Sequence, residues 1–456
     1  MSDPTLTADA ATPPAPGFGA EARGLLSLGL PIVGSNIAQV AIATTDSVML
    51  GWHGVESLAA ATLAQSTYFT VFIIGTAIAY AVMPMVARLA EQGDWVHVRR
   101  VTRMGFWLSF ALGLLVVPAL VSLEPLFRLL GQQEELIPLA DDYMDIVAFS
   151  IFPALGVVVL RNYLAALERT GFALLVALGA LAVNASLNYV LIFGNFGAPE
   201  MGVRGAATAT LITATLTFAV LALYASRTFP DHKLFHRLWR PDFDALRQLL
   251  RLALPIGVAH FAEVGFFAAS AYFIGWFGAV PLAAHGIALR LAELTFVVHM
   301  GISSAGTVRV GRALGRGDRP GLRATGKAAQ LLSLAIAAVA VSAFLLFPET
   351  LAGLFLSPDD PRRDAILPVA TGLLLIAAVF QTFDGQQVVS IGLLRGLHDT
   401  RAPMVYAAFS YWLIGMPASY VLGFVLGFGP AGVWWGLVAG LVSASVLLLL
   451  RFWRLA

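Results

Sequence analysis

Twelve times along this chain, about 20 or more mostly apolar residues follow one another before charge, Gly or Pro interrupts them. A helix of that length crosses a bilayer, because each residue adds about 1.5 Å of rise and the hydrocarbon core is about 30 Å thick. In lipid every backbone N–H and C=O needs a partner, and a helix supplies one within its own segment. The fold class is therefore an all-α integral membrane protein with twelve transmembrane helices. Composition agrees, with 58% hydrophobic and 12% charged residues, against about 25% charged in soluble domains. The mean hydropathy is +0.81, and one soluble core cannot hide so much apolar surface. A net charge of +1 offers no basic excess for nucleic acid, and the absence of Cys removes disulfides, thiolate metal sites and thiol nucleophiles.

The spans fall into two groups of six. The first covers approximately 24–50, 57–87, 101–123, 137–160, 172–193 and 205–225, and the second 246–277, 282–311, 324–347, 365–394, 403–428 and 432–452. Four regions follow: a disordered cytoplasmic tail (1–21), an N-lobe (22–226), a cytoplasmic linker (227–245) and a C-lobe (246–456). Of the 28 Lys and Arg residues, 23 fall on the side that bears both termini and 4 on the other, with Arg290 inside a span. The positive-inside rule then puts both termini in the cytoplasm of a multi-pass protein of the plasma (inner) membrane.

The halves repeat each other. Leu28-Gly29-Leu30-Pro31-Ile32 matches Leu252-Ala253-Leu254-Pro255-Ile256 at an offset of 224, and Gly51-Trp52 matches Gly275-Trp276. Arg88 pairs with Arg312 and Gly93-Asp94 with Gly317-Asp318 at the same offset. Each half has an even number of spans, so the repeats are parallel. Two six-helix lobes about a central cleft is a secondary-transporter layout.

A charge within a span costs at least about 2.5–3.5 kcal/mol, so each needs a reason. Asp46, Glu263 and Asp384 are the acids that stand out, and they break the repeat, since the offset sets Ser270 against Asp46 and Gln39 against Glu263. Asn36, Gln39, Ala43 and Asp46 form one helical stripe. Asn184 and Asn188 lie one turn apart, followed by Thr208 and Thr210. Carboxylate, amide and hydroxyl oxygens are ligands for a hard monovalent cation, but ordinary interhelical hydrogen bonding uses the same groups. In the second half His260 lies one turn from Glu263 amid Phe261, Phe266, Phe267, Tyr272 and Phe273, while Phe380, Gln381 and Phe383 precede Asp384. Carboxylates among aromatic faces can hold a lipophilic cation or exchange a proton, although most of these rings read as packing or lipid-facing.

Arg290 and Glu293 are spaced to neutralise each other. Asp141-Asp142-Tyr143-Met144-Asp145 looks like a DDxxD magnesium signature, but falls on the outer side where no cytosolic diphosphate arrives. Asp359, Asp360 and Asp364 sit beside Arg362 and Arg363 and read as a solvated loop. There is no GxxxxGK[ST], HExxH or GxSxG motif, and no cofactor is expected.

Several motifs carry a family resemblance. They are Thr45-Asp46-Ser47-Val48-Met49-Leu50-Gly51, Met83-Pro84-Met85-Val86-Ala87, and Phe383-Asp384-Gly385-Gln386-Gln387-Val388-Val389 leading to Leu394-Arg395-Gly396. With Ala284-His285 and Arg309-Val310-Gly311, they make residues 22–453 resemble the multidrug and toxic compound extrusion (MATE) family, most closely its NorM-type branch. The resemblance implies a V-shaped pair of bundles, monomeric, that exports cationic and amphipathic compounds against inward H+ or Na+. It implies a first cation site of Asp46, Asn184, Asn188 and Thr210, and a second of Glu263 and Asp384. Asn36, Gln39, His260, Phe267, Phe380 and Gln381 are then candidates for the substrate cavity. Phe380 stands where NorM-type proteins tend to have Tyr, which removes a hydroxyl ligand and favours proton use in the second lobe. Pro31 matches a position where the family's first helix bends. Two other readings are a lipid-linked oligosaccharide flippase of the same superfamily, against which the acidic character of the spans argues, and a membrane prenyl-transfer enzyme using Asp141–Asp145.

Overall fold

A computed structural model describes residues 17–129, 131–358 and 360–456. The expected tail lies outside the described residues up to position 16, as does Asp359. Twelve helices are long and apolar enough to span a membrane. They are α1 (Phe18–His53), α2 (Val55–Glu91), α3 (Trp95–Leu120), α4 (Ile137–Ala166), α5 (Thr170–Phe193) and α6 (Gly202–Thr228), then α7 (Phe243–Gly275), α8 (Ala279–Arg316), α9 (Arg319–Leu346), α10 (Arg363–Gly396), α11 (Arg401–Val425) and α12 (Gly429–Leu455). The expected all-α architecture of two six-helix lobes is what forms; the longest helices overrun the expected spans at the basic ends.

The repeat extends to the punctuation between helices. Asp94 caps α3 by accepting from the His97 N–H at 3.1 Å, and Asp318, 224 positions on, caps α9 by accepting from the Gly321 N–H at 2.8 Å. The residues before them, Gly93 (φ 71°) and Gly317 (φ 70°), take the left-handed conformation that ends α2 and α8. Short helices at Glu124–Leu129 and Pro348–Gly353 begin at equivalent positions after α3 and α9. Past α4 and α10 the register becomes 230, set by Glu168 and His398, both at φ 61°.

The lobes meet through α1 and α2 against α7 and α8. Every hydrogen bond and ion pair between α1–α6 and α7–α12, among the described residues, lies in the half nearest the basic face. Glu21 takes two bonds from Arg309, at 2.7 and 2.8 Å, and one from Thr325 at 3.0 Å. Arg312 reaches Glu168 at 3.0 Å and Arg316 reaches Glu91 at 2.9 Å. At Gly301 the backbones of α1 and α8 almost touch: a Cβ there would lie 2.9 Å from the Gly29 carbonyl oxygen and 2.3 Å from Val33 Cγ2. The lobes are thus closed together at the basic face.

The inter-lobe connection is not a loose polar strand. Residues 229–242 fold onto the ends of α3 and α4, where Arg103 and Trp107 donate to the carbonyls of Arg237 and Leu238 at 3.0 and 2.7 Å. His232 is buried there, stacked on Trp95 and Phe229 and 2.5 Å from the Tyr163 hydroxyl. Burial pushes its imidazole below the usual histidine range.

Candidate functional site

In the first lobe the polar stripe of α1 turns Asp46 inward, leaving the carboxylate 3% exposed among α1, α5 and α6. Asn188 Nδ2 donates to Asp46 Oδ1 at 2.5 Å and to Asn184 Oδ1 at 3.2 Å, and the Thr210 hydroxyl donates to Asp46 Oδ2 at 3.3 Å. The four residues expected here do converge. Thr208 does not join them; its hydroxyl bonds the Arg204 carbonyl of its own helix. Two residues that sequence reasoning missed complete the wall. Tyr143 of α4 lies against Asp46 and Thr210, and Gln65 of α2 donates to its hydroxyl at 3.1 Å. Asn188 Oδ1 and Asn184 Nδ2 are buried without partners. An unpaired amide oxygen beside a sealed carboxylate is costly unless something positive occupies the site.

In the second lobe Glu263 of α7 faces α10, where Gln387 Nε2 donates to its Oε1 at 3.4 Å. Asp384 is 3% exposed and one turn from Gln387 on α10. It lies within electrostatic reach of Glu263. Tyr411, fully buried and stacked on Phe266 at 4.8 Å, stands near both acids with its hydroxyl unpartnered, as is Gln387 Oε1. It sits in the π-helical turn Ser410–Gly415, a wider winding that redirects side chains. The hydroxyl that Phe380 lacks is thus supplied to this cluster from another helix.

The cavity candidates separate. Gln39 is exposed, and Asn36, His260 and Phe267 are half-buried. Phe380 and Gln381 are sealed inside the C-lobe, Phe380 between Phe267 and Trp434 and Gln381 donating to the Ala292 carbonyl at 3.1 Å. Between the lobes, Tyr80 of α2 meets His260 edge-on at 5.7 Å and carries the Arg395 guanidinium over its ring at 5.3 Å. Arg290 and Glu293 pair at 2.9 Å on an exposed face. Asp142 of the Asp-rich pentapeptide binds Arg204 at 2.6 Å. Among the described residues no group of three or more His, Cys, Asp or Glu is arranged for a metal ion.

Comparison with known proteins matches this arrangement. The MatE family model covers residues 31–190 and 255–421, two blocks that begin 224 positions apart. The chain is 45% identical over 435 residues to a probable multidrug resistance protein NorM of Rhizobium meliloti (strain 1021), covering 95% of this chain and 93% of that one. It is 38% identical over 458 residues to the multidrug resistance protein NorM of Burkholderia vietnamiensis, covering 99% and 97%. The fold is similar to a crystal structure of MATE in the bent conformation, with a TM-score of 0.86, 20% identity and coverage of 96% and 97%. A MOP superfamily transporter from Pyrococcus furiosus gives 0.83 with 21% identity and 95% coverage of both chains. These relationships set aside the flippase and prenyl-transfer readings. The chain belongs to the MatE family and is a secondary-active multidrug efflux transporter, not an enzyme.

Proposed function

We propose that this transporter exports lipophilic cations in exchange for inward-moving cations, using chemically different sites in its two lobes. In the N-lobe a monovalent cation, with Na+ the best fit, exchanges at Asp46, with Asn184, Asn188 and Thr210 as neutral oxygen ligands and Tyr143 beside them. One carboxylate among neutral oxygens balances one monovalent charge. In the C-lobe, Glu263, Asp384 and Arg395 together carry one net negative charge, which a proton neutralises. The observation that carries the reading is the sealed Asp46 carboxylate beside the unpartnered Asn188 oxygen.

The lobes, taken as 22–226 and 246–456 around the 227–245 linker, rock about the α1–α8 and α2–α7 contacts in a monomer of the inner membrane with both termini cytoplasmic. The basic face is then the cytoplasmic gate, closed in this conformation, and Asn36, Gln39, His260 and Phe267 border the drug path, with Phe380 and Gln381 behind it. Exchange of one proton for one monovalent drug moves no net charge, and a second coupling ion adds about 2.3 kcal/mol per 100 mV. In proteoliposomes, Asp46→Asn should stop sodium-driven uphill export of a fluorescent monovalent cation. Export at the normal rate would contradict the reading.

A further inference from the structure

Where residues 229–242 cross the basic end of α3, positive charge gathers that the protein does not answer. Arg103 of α3 is 6% exposed, donates one hydrogen bond, to the Arg237 carbonyl at 3.0 Å, and keeps its buried Nε without a partner. Arg99, Arg100 and Arg240 lie within electrostatic reach of it, as does Asp242. Asp242 caps α7 by accepting from the Ala245 N–H at 3.1 Å and meets Arg100 at 3.5 Å. Asp94, at the start of α3, is taken up by His97 at 2.6 Å. Among the described residues Arg99, Arg103 and Arg240 form no ion pair, so four guanidiniums share one carboxylate.

The same face of α3 continues into lipid. Arg103, Trp107, Phe110 and Leu114 follow at helical steps of four, three and four, and the last three are exposed. Trp239, on the crossing segment, is exposed as well. On a membrane-spanning helix such a face meets acyl chains, and Trp marks the level of the headgroups. A chain lying along Trp107, Phe110 and Leu114 therefore brings its headgroup to the arginines. The other lobe builds the equivalent face differently. At the 224 offset Arg323, Ala324, Lys327 and Leu331 stand against Arg99, Arg100, Arg103 and Trp107, and Arg323 donates to the Ala456 carbonyl at 2.9 Å.

We propose that Arg99, Arg100, Arg103 and Arg240 bind the phosphate of an anionic phospholipid in the leaflet at the basic face, with its acyl chains along Trp107, Phe110 and Leu114. Guanidinium forks match phosphate oxygens, and basic surfaces at the membrane edge take anionic headgroups. A zwitterionic lipid brings no net charge to offset the surplus. Because Arg240 belongs to the crossing segment and the other three to α3, the lipid fastens the inter-lobe connection to the N-lobe.

The test titrates phosphatidylglycerol or phosphatidylcholine into the full chain in a nonionic detergent, with bound lipid counted by native mass spectrometry and hydrogen exchange followed in 229–242. The wild type should hold its first phosphatidylglycerol about tenfold more tightly than phosphatidylcholine, and that lipid should slow exchange in 229–242. Arg100→Gln and Arg240→Gln, both at exposed positions, should each weaken phosphatidylglycerol binding about tenfold, the worth of one charge-assisted bond. Lys327→Gln, on the equivalent face of the other lobe, should leave it unchanged. Equal affinity for the two lipids overturns the proposal, as does unchanged binding in both arginine variants. A loss in Lys327→Gln as large as theirs also overturns it, because the attraction would then be diffuse surface charge. Inorganic phosphate slowing exchange as well as phosphatidylglycerol does would assign the cluster to a free anion and overturn the lipid site.

Discussion

Asp46 in α1 and the Glu263–Asp384 pair in α7 and α10 serve related ends of one repeat, yet they share no position. In the 224 register Ser270 stands opposite Asp46 and Gln39 opposite Glu263. In the 230 register Asn184, Asn188 and Thr210 face Ile414, Ala418 and Gly440. The reverse comparison gives the same result, with Ala154, Val157 and Leu181 opposite Asp384, Gln387 and Tyr411. The duplicated framework therefore keeps its caps and left-handed glycines while each lobe places its acids where the other has none. The first site surrounds one carboxylate with neutral amides and hydroxyls, and the second sets two acids near an arginine and an unpartnered phenol. Such a division lets one lobe prefer a metal cation and the other a proton.

The largest effect is expected at Asp46. Removing a charged ligand worth about 3 kcal/mol predicts a loss of about a hundredfold in sodium-driven efflux for Asp46→Asn. Ser270→Asp, which places an acid at the equivalent C-lobe position without its amide partners, should not restore it in a vesicle efflux assay. The junction of the lobes gives the next effect. Glu21 is sealed and bonded twice by Arg309, so Glu21→Gln should weaken closure at the basic face by about 3 kcal/mol. The chain has no native Cys, so single cysteines at exposed positions near the basic ends of α1 and α8 report the change by increased labelling.

A third test separates paired from independent acids. If Glu263 and Asp384 share one added charge, Glu263→Gln and Asp384→Asn should each lower transport about tenfold, and the double variant should be no worse than the weaker single. Multiplying effects would show two independent sites. Tyr411→Phe is milder. Its hydroxyl has no protein partner, so detergent thermostability should hold within about 0.5 kcal/mol while transport falls several-fold.

The smallest effect contrasts the undersides of the lobes. The N-lobe is covered by 229–242 through His232, whereas the C-lobe holds its own end through Arg451–Asp399 at 2.9 Å and Arg323 donating to the Ala456 carbonyl at 2.9 Å. Burial depresses the folded pKa of His232 from an ordinary 6.5, so the undocked segment binds the proton more readily. Docking is then fully stable above about pH 6.5 and weakens as pH falls below it. Hydrogen exchange in 229–242 should accelerate on acidification in the wild type and lose that dependence in His232→Phe.

The spans, the repeat and the three acids were legible because membrane helices write themselves as long apolar runs, and an acid within such a run with no basic residue a turn away needs a reason. Asn184 and Asn188 were legible as a one-turn spacing, whereas Thr210 stood beside Thr208 and only the family resemblance singled it out. Tyr143, Gln65 and Tyr411 were not, because a buried phenol or amide in an apolar helix gains its role only from which remote helix it faces. For Tyr411 the π-helical turn decides that facing, and residue spacing does not reveal a π-turn. Arg161 and Arg395 misled for another reason. They lie close to helix ends and counted as cytoplasmic charges, while their long side chains reach back to Asn36 and His260.

Whether the two lobes handle different ions can be measured directly. Efflux of a fluorescent cation is measured from proteoliposomes under a sodium gradient at fixed pH and, separately, under a proton gradient without sodium, for the wild type, Asn188→Ala and Asp384→Asn. Asn188→Ala should lose the sodium-driven component and keep the proton-driven one, and Asp384→Asn should do the opposite. Both variants losing the same component would contradict a division of ions between the lobes.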